Sequence, residues 1–376
     1  MVILHWSFII IFVFLAYVSY HEIFILKRKN PVFSCIAWLL LVVVIGLRLD
    51  VGADYPVYRK LFVGFSMYTG YQDVFDKALF RKSREEIEWI FVLINKIIFD
   101  LGLPFYFVTL VAALISVSLK LITLYQNIAY PMLGVFFYFM PIMFFEDSGQ
   151  MRQGLGIAMC VFSFRFIKSR NLFMYLLFMY LALGMHKTAI VFLPAYWLVK
   201  IPLNGNRIFW LILFSILISP LEPYKFFGGL FEFLSPEEVS SAYTGYVNDK
   251  YYGTELETGL GDIVKIIYII ILMRFDDQAC KKVEWYEYMR NIAVFGLCFF
   301  YVMRTNSIFA VRLPGVYMFF LTMFCLPSIV YAVEIRMKQI LYYGFFAYFS
   351  AMFFYFGKGN GDRGSFTMNK YENVLF

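Results

Sequence analysis

The sequence predicts an all-α integral membrane protein, a polytopic helical bundle of about twelve transmembrane helices with large external loops, each span needing about 20 residues, built as one transmembrane domain over residues 1–376. Three observations carry that expectation. Of the 376 residues, 61% are hydrophobic and only 16% charged, with a mean hydropathy of +0.70; a soluble domain is roughly 45–50% apolar. The apolar residues form long continuous runs, where a membrane β-barrel would show alternating segments of roughly ten residues. Helices are then the remaining way to satisfy every backbone N–H and C=O within the bilayer. Finally, 33 Lys and Arg against 26 Asp and Glu give a net charge of +7, and the basic residues sit in short links between apolar runs. That is the pattern of cytoplasmic loops and not of a nucleic-acid-binding surface.

In chain order, the run 2–20 lacks a basic leading segment and exceeds a signal-peptide core, so it reads as a retained first helix. Further spans are expected at 32–48, 103–126, 130–146, 151–167, 171–185, 187–200, 206–220, 260–275, 290–304, 307–333 and 336–356. The runs 171–185 and 187–200 are short for a crossing and read as half-helices meeting near His186, an arrangement that turns helix-end dipoles toward a site. Basic clusters at Lys27-Arg28-Lys29, Lys168 with Arg170, Lys200 with Arg207, Lys281-Lys282 and Arg336 with Lys338 follow alternate spans. With these facing the cytoplasm, both termini and the loops 49–102 and 221–259 lie outside. The second loop is acidic, carrying Glu222, Glu232, Glu237, Glu238, Asp249, Glu255 and Glu257. The stretch 85–101 is apolar but holds Glu88, Asn95, Lys96 and Asp100. Counting it as a span would turn every later basic loop outward, so an amphipathic helix lying at the external interface is expected there.

Ionisable residues near apolar runs are the candidates for chemistry, because each is costly in lipid. On this topology they gather on the outer face. Arg48 ends the second span and leads to Asp54, Tyr55 and Tyr58; Arg152 and Gln153 open the fifth; His186, Lys187 and Thr188 form an outer link; Arg304 closes the tenth and Arg312 lies in the eleventh. An Arg within a span costs roughly 2.5–3.5 kcal/mol on insertion scales, which singles out Arg312. Arg48, Arg304 and Arg165, at helix ends, can instead reach headgroups. Guanidinium groups are always charged and present a planar fork, which suits phosphate or diphosphate. His186 and Asp54 are candidate proton acceptors. Asp276-Asp277 lacks a DxD spacing and reads as part of a solvated inner loop. Cys35, Cys160, Cys280, Cys298 and Cys325 show no CxxC spacing and suggest neither a disulfide framework nor a metal site. The 46 Phe and 29 Tyr read mostly as lipid-facing or interfacial packing.

At these residues the chain resembles the Wzy/EpsG-like family of bacterial polysaccharide polymerases. The phrases Gly46-Leu47-Arg48, Gly52-Ala53-Asp54-Tyr55-Pro56-Val57-Tyr58, Glu88 with Leu93-Ile94-Asn95, Met151-Arg152-Gln153-Gly154-Leu155-Gly156-Ile157-Ala158, and His186-Lys187-Thr188-Ala189 with Phe192-Leu193-Pro194 occur in the family's order. The later half is supported by Arg312 with Tyr317 and by the tail Lys370-Tyr371-Glu372-Asn373. The chain departs from the pattern in Ala53, where a hydroxyl residue is expected, in Lys187 between the His and the Thr, and in a tail that lacks the family's Pro.

The resemblance implies a GT-C-like, metal-independent glycosyltransferase with no cofactor, multi-pass in the bacterial cytoplasmic (inner) membrane, its active site facing the periplasm or exterior. It would join undecaprenyl-pyrophosphate-linked oligosaccharide repeat units into O-antigen, capsule or exopolysaccharide, with lipid pyrophosphate leaving. Membrane lipid, a flippase and a chain-length regulator are the partners it suggests, and nucleic acid is not among them. In that reading Arg48, Arg152, Arg312 and Arg304, with Gln153, Tyr55, Tyr58 and Thr188, bind diphosphate and glycan. His186 is the first choice of base and Asp54 the second. A lipid-linked glycan ligase or another GT-C enzyme would use similar arginines. A transporter or flippase would show internal repeats and charges near the midplane, and a scaffold leaves Arg312 unexplained.

Overall fold

The computed structural model describes residues 5–52, 54–79, 87–225, 254–357 and 371–376. Most of the acidic loop, Ala53, Ser83, Glu85 and Lys370 lie outside the described residues. What is described is almost wholly helical, with one two-stranded ladder. Trp6–Leu26, Tyr106–Asn127 and Ser307–Ala332 are long and apolar enough to cross a membrane, and Pro31–Gly46, Leu172–Met185 and Gly205–Leu221 are shorter apolar helices. This is a helical membrane protein. Its helices form two compact units, Met1–Ile190 with Val333–Phe376, and Val191–Ala332.

The first unit opens with α1 (Trp6–Tyr20), which continues as a π-helical turn over His21–Leu26. Asn30 caps α2 (Pro31–Gly46), its Oδ1 accepting the Val32 N–H at 2.9 Å, while Pro31 occupies a first-turn position that needs no donor. Glu22, buried in the π turn, accepts the N–H of Asn30 at 3.3 Å and of Met132 at 2.9 Å. One carboxylate thus serves two helix starts, where the backbone dipole favours an anion. Three helices then fill the expected external loop: α3 (Tyr55–Tyr68), α4 (Tyr71–Ala78) and α5 (Trp89–Asp100). The buried face of α5 is Phe91, Val92, Asn95 and Ile98, spaced as one stripe of a helix, and it packs on α3 and α4. Its 12 residues are too few to cross a bilayer, which takes about 20.

The long α6 (Tyr106–Asn127) packs on α2 and on α8 (Met151–Lys168), and α8 packs on α9 (Leu172–Met185). Between α6 and α8 lies α7 (Pro131–Phe137), prolonged as a 12-residue π-helical stretch, Tyr138–Gly149. The half-helix expected over 187–200 is instead a 3-10 turn, Lys187–Phe192, followed by the short α10 (Ala195–Leu198). Pro194, with no N–H to donate, stands at the break.

The second unit comprises α10, α11 (Gly205–Ile218), α12 (Leu260–Lys282), α13 (Tyr286–Val302) and the broken run α14 (Ser307–Arg312), α15 (Gly315–Phe319), a π turn (Phe320–Cys325) and α16 (Leu326–Ala332). A methyl group at Gly296 would sit 2.5 Å from Tyr317 Cβ, so this glycine is what lets α13 and α15 close on each other. The solvated loop expected at Asp276-Asp277 is a correction: α12 runs on to Lys282, and buried Asp276 pairs with buried Arg290 at 2.6 Å. An arginine one helix later supplies the neutralising partner a buried carboxylate requires.

Finally α17 (Ile335–Gly357) returns to the first unit, against the π-helical stretch 138–149. Strand β2 (Glu372–Asn373) then pairs antiparallel with β1 (Arg48–Leu49).

Candidate functional site

The best-organised polar site of the first unit forms where α5, α8 and the end of α9 meet, and small residues permit the approach. A Cβ at Gly184 would lie 2.6 Å from Trp89 Nε1, and one at Gly156 would lie 3.3 Å from His186 Cβ. Glu88, the residue just before α5, is thereby brought against Arg152 in the first turn of α8, Nη1 to Oε2 at 2.7 Å. Its other oxygen, Oε1, accepts the backbone N–H of Lys187 at 3.1 Å. Burial works against the Glu88 charge, but His186, Arg152 and the backbone donors outweigh it and hold the carboxyl below the usual range.

The Arg152 guanidinium lies 5.5 Å from the Tyr58 ring and 5.9 Å from that of Phe91, both within cation–π range. A quarter of its side chain is exposed, yet Nε is buried with no hydrogen-bond partner among the described residues. A buried charged donor without an acceptor is an uncommon state.

His186 ends α9 and caps the following 3-10 turn, with Nδ1 2.7 Å from Thr188 Oγ1 and accepting the Thr188 N–H at 3.3 Å. With Nδ1 accepting, Nε2 is the nitrogen that carries the proton when the ring is neutral. Asp54 sits just before α3, where the Tyr58 hydroxyl donates to its Oδ2 at 3.4 Å.

Arg48 is differently placed. Only 1% exposed, it donates from Nε to the Val51 carbonyl at 3.0 Å, from Nη2 to Ser148 at 3.1 Å, and from Nη1 to Ile45. Its guanidinium is 5.8 Å from the Tyr55 ring, which packs edge-on to Phe105. Gln153 is buried within α8. In the second unit Arg304 pairs with Asp262 (Nη1 to Oδ1, 2.5 Å), and Arg312 is half-buried as the last residue of α14. Thus Glu88, Arg152, His186, Thr188 and Tyr58 share one locus; Arg48 forms its own buried centre; Arg304 and Arg312 belong to the other unit.

Two charged features escaped the sequence reading. Lys120, fully buried in α6, pairs with Asp147 Oδ2 at 2.6 Å and stands 4.0 Å from Glu146; Ser116 and Tyr138 also donate to Asp147, the latter at 2.6 Å. The signal was an ammonium in the middle of a 22-residue apolar helix, which demands a partner inside the bundle. Glu88 was legible as part of a phrase, but its partners, 64 and 99 residues away, were not.

Apolar helices of crossing length, together with a carboxylate–guanidinium–imidazole locus in the first unit, define a helical membrane protein with a polar site of its own. The chain belongs to the EpsG family, whose model matches residues 31–373. No curated protein and no solved structure matches it.

Proposed function

We propose that the chain is a polysaccharide polymerase that joins undecaprenyl-pyrophosphate-linked oligosaccharide units on the outer face of the cytoplasmic membrane, in a multi-pass, GT-C-like arrangement of about twelve spans. The observation that carries the reading is the Arg152 guanidinium, held by Glu88 beside His186 with its Nε–H lacking an acceptor among the described residues, in a chain of the EpsG family. Family membership supports the polymerase class, and the unsatisfied donor supports an oxyanion ligand.

The chemistry is a displacement at carbon. The acceptor hydroxyl oxygen attacks the anomeric carbon of the donor's first sugar as its bond to the diphosphate oxygen breaks. The electron pair leaves with the diphosphate, and the hydroxyl proton passes to a base. Fixed cations and hydrogen-bond donors aimed at the departing oxygens lower the barrier. Arg152 fills that role, and the Nε2–H of His186 is a second donor. With its proton on Nε2, His186 is less suited to be the base than the Asp54 carboxylate beside Tyr58. Arg48 holds the chain around Val51 and Ser148 in place, while Arg304 and Arg312 remain candidates for glycan or diphosphate contact. The conjugate base of a lipid diphosphate is a stable leaving group, so the mechanism calls on no metal.

The test is Arg152→Ala and Arg152→Lys in the native host, with surface glycan resolved by chain length. Loss of long chains while single repeat units still reach the surface is the expected result, with Lys a poor substitute because it lacks the planar fork. Single units trapped inside would make the protein a flippase. Intact polymer left unattached to its final carrier would make it a ligase.

A further inference from the structure

A separate cleft lies in the second unit, about 460 Å³ in volume and lined by Ile216, Ser219, Pro220, Glu222, Glu255, Tyr301, Arg304 and Thr305. That size falls among small-molecule sites, roughly 300–1,000 Å³. Its walls are pinned by backbone bonds: Leu256 N–H to the Arg304 carbonyl at 3.0 Å, and Ser307 N–H to the Thr254 carbonyl at 2.9 Å.

Its charge is balanced. Asp262 occupies Arg304 through Nη1 at 2.5 Å and Nη2 at 3.1 Å, and Nη2 also donates to Thr258 Oγ1 at 3.1 Å and the Leu256 carbonyl at 3.4 Å. Lys225 pairs with Glu222. Lys265 is within electrostatic reach of Asp262 and Arg304, and Glu255 is within reach of Arg304. A diphosphate needs surplus positive charge, and the described residues of the cleft supply none. What the cleft offers instead is two carboxylates as acceptors, the Tyr301 ring as an apolar wall, and the Thr305 hydroxyl, buried with no partner among the described residues. Acceptors, an aromatic face and an unsatisfied hydroxyl complement a neutral polyol.

We propose that this cleft is a glycan subsite, binding one or two uncharged sugar residues through their hydroxyl groups and not the diphosphate of a lipid carrier. That the sugar belongs to a chain being extended rests on the polymerase reading; the hydroxyl-binding chemistry does not. It takes Arg304 out of the diphosphate contacts and makes Glu255 and Tyr301 specificity-determining residues.

The experiment uses the full-length protein in detergent, titrated with neutral oligosaccharide released from the host's own surface glycan and, separately, with inorganic pyrophosphate, both followed by ligand-observed NMR. Glu255→Gln, which preserves shape, and Tyr301→Ala should each weaken oligosaccharide binding at least tenfold, with Tyr301→Phe close to wild type and pyrophosphate binding unchanged. Oligosaccharide binding unaffected by Glu255→Gln and Tyr301→Ala would overturn the proposal, as would pyrophosphate binding lost in Glu255→Gln. Arg152→Ala separates the two readings. If that variant still polymerises while Glu255→Gln loses the oligosaccharide, the diphosphate assignment fails and the glycan subsite stands.

Discussion

Arg48 and Asn373 face each other across a two-residue antiparallel ladder, 325 positions apart in the chain. The pairing is reinforced by side chains. Asn373 Nδ2 donates to the Val43 carbonyl at 3.2 Å and to the Tyr371 hydroxyl at 2.7 Å, and that hydroxyl donates to the Val44 carbonyl at 2.8 Å. The last-turn carbonyls of α2 have lone pairs to spare: Val43 already accepts the Leu47 N–H, and Val44 accepts the Tyr371 hydroxyl. The tail brings a donor to each, and so frames the loop that leads from Arg48 to Asp54.

Asn373→Ala therefore removes one of two donors from the Val43 carbonyl, which keeps the Leu47 N–H, and one of two partners from the Tyr371 hydroxyl, which keeps the Val44 carbonyl. A loss of about 0.5–1.5 kcal/mol per bond removed is expected, read as a lowered unfolding midpoint in detergent. Asn373→Asp should be at least as damaging, since it removes the donor and adds a charge.

Glu88→Gln removes the anion between Arg152 and the Lys187 N–H. Breaking a buried pair costs about 3–5 kcal/mol, and the partial exposure of Arg152 places this one at the lower end. The pH dependence has a definite sign. Because the folded carboxyl is held below its ordinary value, the stabilisation is fully present above the usual carboxylate range and is lost as pH falls through the lower folded value. The difference in midpoint between wild type and Glu88→Gln should shrink under acid, and a difference that is flat with pH would refute the pairing.

Lys120→Met strands the Asp147 carboxylate in a dry interior, and a loss of about 3–5 kcal/mol is expected. Adding Asp147→Asn should restore part of it, because the charge with no partner is gone. A double-mutant cycle on thermal unfolding measures the coupling; additive losses would mean the two groups do not pair.

Gly52→Ala tests the entry to the Asp54 segment. Gly52 has φ of +118°, which side-chain-bearing residues rarely adopt, and an added Cβ would collide with the Ser148 carbonyl. The same carbonyl accepts from Arg48. The substitution should destabilise by about 1–3 kcal/mol through strain and overpacking and cut polymer length in cells; a neutral result would remove Gly52 from the site's framework.

The proposed sidedness has its own check, a cysteine-free background carrying Ser83→Cys or Ser169→Cys. A membrane-impermeant thiol reagent should label the first in intact cells and leave the second unlabelled until the membrane is opened. The reverse pattern would invert every loop assignment.

The all-helical, membrane-embedded architecture was legible because hydropathy runs are a local property. A helix within 85–101 was legible too, from its apolar spacing, and the structure describes it over Trp89–Asp100. The 3-10 break after His186 was half visible in Pro194, and the extension of α12 through Asp276 was not, because its buried partner Arg290 is a tertiary fact. The locus shows the same division. Arg152, His186 and Tyr58 could be marked as costly or unusual one at a time, but the carboxylate that organises them could be assigned only once the glycines at 156 and 184 had let three helices draw together. Lys120 was overlooked for a plainer reason. A single ammonium barely lowers the average hydropathy of its helix.

The π-helical stretch Tyr138–Gly149 also fixes a phase. Each residue of an α-helix turns the chain by about 100°, so deleting one position there would let the wide turns relax and rotate all that follows, carrying Arg152 off the face it shares with Glu88. Within these twelve residues, the number of residues is as much a constraint as their identity, and a shortened relative would need a second, compensating change to keep its guanidinium on station.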